Sequence, residues 1–226
     1  MSFTAYRKNK SPHTNENLFF SALASALKMR YQNDTTENVI LIGNVSIAGA
    51  QLDAILIKDD AIILLEFKDY SGDITIDDIT GVWLNNGIEI RGGNPPKNPL
   101  QQIKMSRELV INYISNSDFT LNDSPLRFAT RKVRHISGII GFSGDIQFNI
   151  EQLHATQRTW LNVSGGVNDM VNIIDNISTG LTLNAEEMLA IASQLDVIDC
   201  AYPPIVENSL KDPEDTVTNT VTNEPK

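Results

Sequence analysis

The sequence predicts a mixed α/β domain, and three observations carry that prediction. Its apolar runs, VILIG and AIILL, have the length of buried strands rather than of helices. Other stretches repeat apolar residues at helical spacing. The order is helix, several strands, helix, strand, helix, which is not the regular alternation of a doubly wound sheet. The chain has 226 residues, 41% hydrophobic and 20% charged, within the range of a globular domain.

The first helix is predicted over Asn15 to Tyr31. Leu18, Phe19, Ala22, Leu23, Ala26 and Leu27 recur on one side, and Thr14 or Asn15 is the expected N-cap. Val39 to Ile42, Leu52 to Ile57 and Ala61 to Lys68 read as strands. A turn is expected at Ser71-Gly72-Asp73. Trp83 and Ile88-Glu89-Ile90 suggest further short strands around the hairpin turn Asn85-Asn86-Gly87. RGGNPPKNP is a loop by composition, and its end prepares a helix. Asn98 is an N-cap and Pro99 a first helical residue, with Leu100, Ile103, Val110 and Ile114 on one side up to about Ile114. Val133 to Phe142 is a strand candidate. Leu183 to Leu195 reads as a closing helix capped by Asn184. Residues 1–202 are expected to form one domain, and residues 203–226, rich in Pro, Asn, Thr and acids, a disordered tail.

Composition excludes several classes. No run approaches the roughly 20 apolar residues of a membrane helix, and the N-terminus lacks the apolar core of a secretory signal. A cytoplasmic location is expected. The single cysteine, Cys200, permits neither an internal disulfide nor a cysteine zinc site. His13, His135 and His154 do not form a zinc-hydrolase spacing, GFSGD is not a nucleophile elbow, and there is no P-loop. The net charge of −10 argues against broad, non-specific nucleic-acid binding, although a local basic face can coexist with an acidic whole.

The informative stretch is AIILLEFKDYSG. An apolar strand ends in Glu66 and Lys68, which share a face, while Phe67 points the other way. Burying such charges costs several kcal/mol each unless they are paired or bound. A two-residue loop, Asp59-Asp60, pairs Lys58 with Ala61 and brings Asp53 opposite Glu66; a three-residue loop would destroy that pairing. Opposed carboxylates repel. A shared proton, a cation such as Lys68, or a hard divalent ion would resolve the conflict. The structural alternative is an ion-pair cluster in which Lys68 bridges both acids.

Asp, about a dozen residues, then Glu-x-Lys across a hairpin resembles the PD-(D/E)xK nuclease superfamily. Glu16 on the first helix, QLDAILI, AIILLEFKDYSG, a Trp strand and NPLQQ, in that order, resemble its nuclease-related domain, NERD, from about Thr14 to Phe142. The resemblance implies a restriction-endonuclease-like fold, a central mixed β-sheet flanked by helices. It also implies roles. Asp53, Glu66 and the Phe67 carbonyl would hold Mg²⁺, with Mn²⁺ as a substitute. Lys68 would orient or deprotonate water, Glu16 would assist, and Gln102 would position Lys68, water or phosphate. Two departures stand out: Asp59-Asp60 where the family often has a turn glycine, and Asp69 where it often has asparagine.

Phosphate contacts need cations. Lys104 and Arg107 lie on the Gln102 helix, and Arg127, Arg131, Lys132, Arg134 and His135 form the densest basic segment, with Lys8 and Lys10 near the first helix. The bland reading of each is a solvated surface charge. The expected function is metal-dependent hydrolysis of phosphodiester bonds, in DNA or alternatively RNA, within DNA processing or defence. The alternative is a non-catalytic module binding nucleic acid or a partner protein. A separate helicase, ATPase or targeting protein, or a second copy of the chain, is the expected partner.

Overall fold

The computed structural model describes residues 3–33, 36–47, 49–90, 98–116 and 136–203. In chain order the elements are β1 (Phe3–Arg7), α1 (Thr14–Tyr31), β2 (Val39–Ile47), β3 (Ala50–Lys58), β4 (Ala61–Lys68), β5 (Gly72–Ile76), β6 (Trp83–Asn85) and β7 (Ile88–Glu89). There follow α2 (Pro99–Asn116), β8 (Ser137–Phe142), β9 (Ile146–Phe148), the single turn α3 (Ala155–Arg158), β10 (Leu161–Gly165), α4 (Gly166–Asn176) and α5 (Ala185–Gln194).

Six strands form the central sheet in the order β1-β2-β3-β4-β8-β10. The β2–β3 and β3–β4 pairs are antiparallel, and the β1–β2, β4–β8 and β8–β10 pairs are parallel. This is the mixed sheet that the sequence predicts. A second sheet, β7-β6-β5-β9, stands beside it.

β4 lies between β3 and β8, which is why it reads as an apolar run: both faces must be covered. On one face, Ile62 and Leu64 meet Ile103, Val110 and Ile114 of α2 and Met188, Ile191 and Ala192 of α5. On the other, Ile63, Leu65 and Phe67 meet Phe19, Leu23 and Leu27 of α1 and Met170, Val171 and Ile174 of α4. α2 and α5 are capped as the sequence predicts. Asn98 Oδ1 accepts from Gln101 N at 2.8 Å, and Asn184 accepts from Glu187 N while the Glu187 carboxylate accepts from Asn184 N.

Several details differ from the expectation. α1 begins at Thr14 with His13 at the cap position, without a side-chain cap bond. Gly72 opens β5 instead of turning the chain, using φ +92. The predicted Val39–Ile42 strand runs on to Ile47. β1, β5, β9, β10, α3 and α4 have no counterpart in the predicted order. Of the expected tail, 204–226 lie outside the described residues, as do positions 133–135 of the predicted Val133–Phe142 strand.

Candidate active site

The β3–β4 hairpin has the predicted register: Lys58 pairs with Ala61, and the ladder continues to Ala54 with Leu65. The Asp59-Asp60 loop achieves this without left-handed residues. It is held from outside instead. Asp59 Oδ2 accepts from Asn38 N at 3.1 Å, and Leu183 N and Thr179 N donate to the Asp59 and Asp60 carbonyls. Lys58 Nζ lies 3.2 Å from Asp60 Oδ1.

Beyond Leu65 the two strands part, so Asp53 does not form the predicted ladder pair with Glu66, and the charged end begins. Asp53 Oδ2 accepts from the Phe67 amide at 2.7 Å. Lys68 Nζ donates to Glu66 Oε1 at 2.6 Å. Glu66 is buried, only 9% exposed. Phe67 turns to the opposite face and stacks on Phe19, with ring centroids 4.7 Å apart, which ties the site's backbone to α1.

Electrostatics separates the acids from an ordinary surface cluster. Burial pushes the Asp53 carboxyl well above the usual carboxylate range. The charges of Glu66 and Glu16 push it further, against the Phe67 N–H and Lys68. Burial also raises Glu66, opposed by the charge and hydrogen bond of Lys68. Burial alone would lower Lys68, but Glu66, Asp53 and Glu16 together hold it above its ordinary value, so it stays charged. One ammonium therefore serves two buried carboxylates, within the field of a third, Glu16.

Glu16 sits in the first turn of α1, where it accepts from Ser11 Oγ. Gln102 occupies the first turn of α2, its amide donating to the Asn98 carbonyl at 3.0 Å. Its neighbour Ile103 lies close above Gly138, where an added Cβ would come within 2.8 Å of Ile103 Cδ1. Gly138 pairs with Leu64, two residues before Glu66. The Gln102 Oε1 atom is buried and has no hydrogen-bond partner. Two raised carboxylates are hard donors of the kind that fit a divalent cation. Among the described residues no three His, Cys, Asp or Glu side chains gather into a metal-holding group, so the carboxylate donors come as a pair.

The predicted cations are placed differently from one another. Lys104 is exposed. Arg107 is half-buried; its Nε donates to the Ile136 carbonyl at 2.6 Å and its guanidinium lies over the Trp160 ring. Lys8 pairs with Asp196. Arg127, Arg131, Lys132, Arg134 and His135 lie outside the described residues.

Asp69, which stands where the family often has asparagine, puts a further negative charge just past β4. It accepts from Asn15 of α1 and, at 2.8 Å, from Ser143 Oγ just past β8. It thus pins the start of the helix carrying Glu16 to the end of β4. No spacing rule in the sequence announces that three-element bond. No helix among the described residues is long and apolar enough to cross a membrane.

No curated protein and no solved structure matches the chain. One family does: the nuclease-related domain, NERD, matches residues 13–143, more than half of the 226 residues. The match begins just before α1 and ends just after β8, so it takes in Glu16, the whole Asp53–Glu66–Lys68 hairpin and Gln102. NERD belongs to the PD-(D/E)xK-like nuclease superfamily, and the restriction-endonuclease-like sheet agrees: the chain is a member of the nuclease-related domain family.

Proposed function

We propose that the chain is a Mg²⁺-dependent nuclease that hydrolyses phosphodiester bonds in DNA, with Mn²⁺ able to replace Mg²⁺. The observation that carries this reading is the charge imbalance of the buried site: Asp53 and Glu66, both raised, are served by one ammonium. A stable fold gains nothing from two buried acids that resist ionisation; a cation site does. Asp53, Glu66 and the Phe67 carbonyl would hold the cation. When bound, it supplies Lewis-acid stabilisation of charge on a phosphate oxygen.

The chain's own residues do the rest. Lys68 keeps a fixed positive charge beside the acids, where it offsets phosphate charge and orients the attacking water. Glu66 holds Lys68 in place through its 2.6 Å bond. Gln102 offers an unsatisfied carbonyl oxygen to water or substrate. Glu16 adds negative potential that favours cation binding. Lys104 is exposed on the Gln102 helix and is proposed, with Arg131, Lys132 and Arg134, to meet phosphates. Residues 1–202 act as one nuclease domain in this reading. The chain works in DNA processing or defence with a separate helicase, ATPase or targeting protein.

A second reading has a specific observation behind it. Residues 69–90, which include β5, β6 and β7, carry Asp69, Asp73, Asp77, Asp78 and Glu89 and no Lys or Arg. That acidic lobe repels a phosphate backbone and suits a non-catalytic module that docks on a protein.

The test is cleavage of supercoiled plasmid, linear duplex, single-stranded DNA and RNA, each with Mg²⁺, Mn²⁺ or EDTA, beside Glu66→Ala. Metal-dependent cleavage lost in the variant is expected. No cleavage together with no metal-induced rise in Tm would overturn the catalytic reading. Metal stabilisation lost in Glu66→Ala, without cleavage, would leave a real cation site in a non-catalytic module.

A further inference from the structure

β3 has nine residues, and only Asp53 lacks a ladder partner on both flanks. Towards β2 the pairs run Gly43 with Ala54, then Val45 with Leu52, skipping Asn44 and Asp53. Towards β4 the ladder ends at Ala54 with Leu65. The same point marks a slip in the pleat of both strands. In β2, Ile40 and Ile42 share one apolar cluster with Val45 and Ile47, a spacing of two, three, two. In β3, Leu52 shares that cluster with Ile55 and Ile57. Strict alternation forbids both patterns; the pairing register is the same on either side of the gap, so the two strands change phase together.

The residue opposite Asp53 supplies the slip. Asn44 takes φ +54, the left-handed region, in the middle of a strand. Asparagine visits this region more readily than other residues with a Cβ. Its side chain is held at both ends: Asn44 Nδ2 donates to the Asn9 carbonyl at 3.0 Å, and Gln51 Nε2 donates to Asn44 Oδ1 at 2.6 Å. Asn9 belongs to the loop before α1, and Gln51 lies two residues from Asp53. The slip is therefore anchored to two other segments, the loop before α1 and the start of β3.

We infer that Asn44 is a positioning residue for Asp53: its left-handed backbone breaks the ladder there and frees the Asp53 carboxylate to cap the Phe67 amide and face the cation site. With Asn44 in extended conformation, the β2–β3 ladder would close through Asp53. The carboxylate would then be carried with the pleat and away from the β4 main chain. The inference rests on the cation-site reading above and adds a residue that makes no contact with the cation itself.

The conformation and the side-chain bonds separate by substitution. Asn44→Gly keeps left-handed backbone and loses both bonds. Asn44→Ala loses both bonds and disfavours the conformation, and Asn44→Val disfavours it more strongly. Two measurements apply to each purified chain: Mn²⁺ affinity by calorimetry, and hydrogen exchange of the Phe67 amide in metal-free buffer. Asn44→Ala is expected to bind Mn²⁺ about tenfold more weakly, the lower end for residues that support metal ligands, and to exchange Phe67 faster. Asn44→Gly is expected to stay within about threefold of the unaltered chain. Asn44→Val, where it folds, should extend the Asn44→Ala trend.

Unchanged affinity and exchange in Asn44→Ala would overturn the inference. So would an equal loss in Asn44→Gly, which would assign the effect to the side-chain bonds. Asp53→Asn is the control that separates the two readings. If Asp53→Asn binds Mn²⁺ as the unaltered chain does, the cation site itself fails, and the Phe67 exchange rates still decide whether Asn44 positions Asp53.

Discussion

Asp53 concentrates the electrostatic cost of the site, and its pH dependence has a definite sign. Its carboxyl is raised in the fold, first by burial. In the unfolded chain it titrates near an ordinary pKa of about 3.9. Between these values the native state binds the extra proton, so stability falls as pH rises. The contribution is fully present below the unfolded value and lost as pH rises through the folded one. Asp53→Asn keeps an acceptor for the Phe67 amide and cannot ionise. In EDTA, its Tm should exceed that of the unaltered chain at pH 8, and the gap should narrow towards pH 4. Every tenfold difference in proton affinity between the folded and unfolded carboxyl corresponds to about 1.4 kcal/mol. A gap of the same size at both pH values would refute the electrostatic account. Lys68 gives the complementary case. Lys68→Met strands the buried Glu66, at a cost of about 3 kcal/mol near neutral pH. Adding Glu66→Gln to that chain should recover most of the loss in urea melts, because the two residues act as one unit. Additive losses would mean that the 2.6 Å bond carries no coupling.

At the scale of elements, α2 is the part of the site best announced by sequence. Its cap bond, Asn98 Oδ1 to Gln101 N, holds the turn that carries Gln102. Asn98→Ala should cost about 1 kcal/mol and speed amide exchange in that turn while leaving β4 protected. Uniform exchange across both elements would show that the cap does not act locally. α2 was legible because cap chemistry is local: Asn-Pro at the start and apolar residues at helical spacing suffice. β4 was legible because a strand covered on both faces must be apolar throughout. The β3–β4 register was legible because hairpin pairing is arithmetic, but the arithmetic does not show that the ladder stops at Ala54–Leu65 and that Asp53 accepts from the Phe67 amide instead of pairing with Glu66. The elements that escaped lack such local marks. β1 is five residues, FTAYR, inside a polar N-terminus, and it is a strand because β2 pairs with it in parallel. β10 and α4 meet at Gly165-Gly166, where Gly166 takes φ +75, so glycines that signal a loop instead join a strand directly to a helix. The slip at Asn44 had a trace, the two-three-two apolar spacing in β2, but spacing alone does not say which residue leaves the extended region.

The whole molecule is larger than its recognisable part, and the reason lies in the sheet. The family match spans α1 to β8 and so contains the candidate catalytic residues. It omits β1 and β10, the two edge strands of the six-stranded sheet. It also omits α4, whose Met170, Val171 and Ile174 pack against α1 and β4. Residues after α5 return to close the β1 edge: Arg7 N donates to the Cys200 carbonyl and Tyr202 N to the Ala5 carbonyl, each at 2.8 Å. Tyr202 then hydrogen-bonds Ser21 of α1 at 2.6 Å and lies edge-on to Phe20. The matched segment alone would expose two unpaired strand edges and the apolar face that α4 covers, and such edges template aggregation. An isolated 13–143 fragment is therefore expected to lack a cooperative thermal transition and to bind a hydrophobic dye. A 1–203 chain should melt within about 1 kcal/mol of the full chain, since it keeps Tyr202, which makes the last main-chain bond at this edge among the described residues. Ending the chain at Asp199 instead strips the β1 edge and uncovers Phe20. That should lower stability by about 2–4 kcal/mol, the range for losing a buried aromatic contact and its hydrogen bonds. A cooperative melt from the 13–143 fragment would show that the candidate active site folds without its surrounding strands, and β1, β10 and α4 would then be decorative.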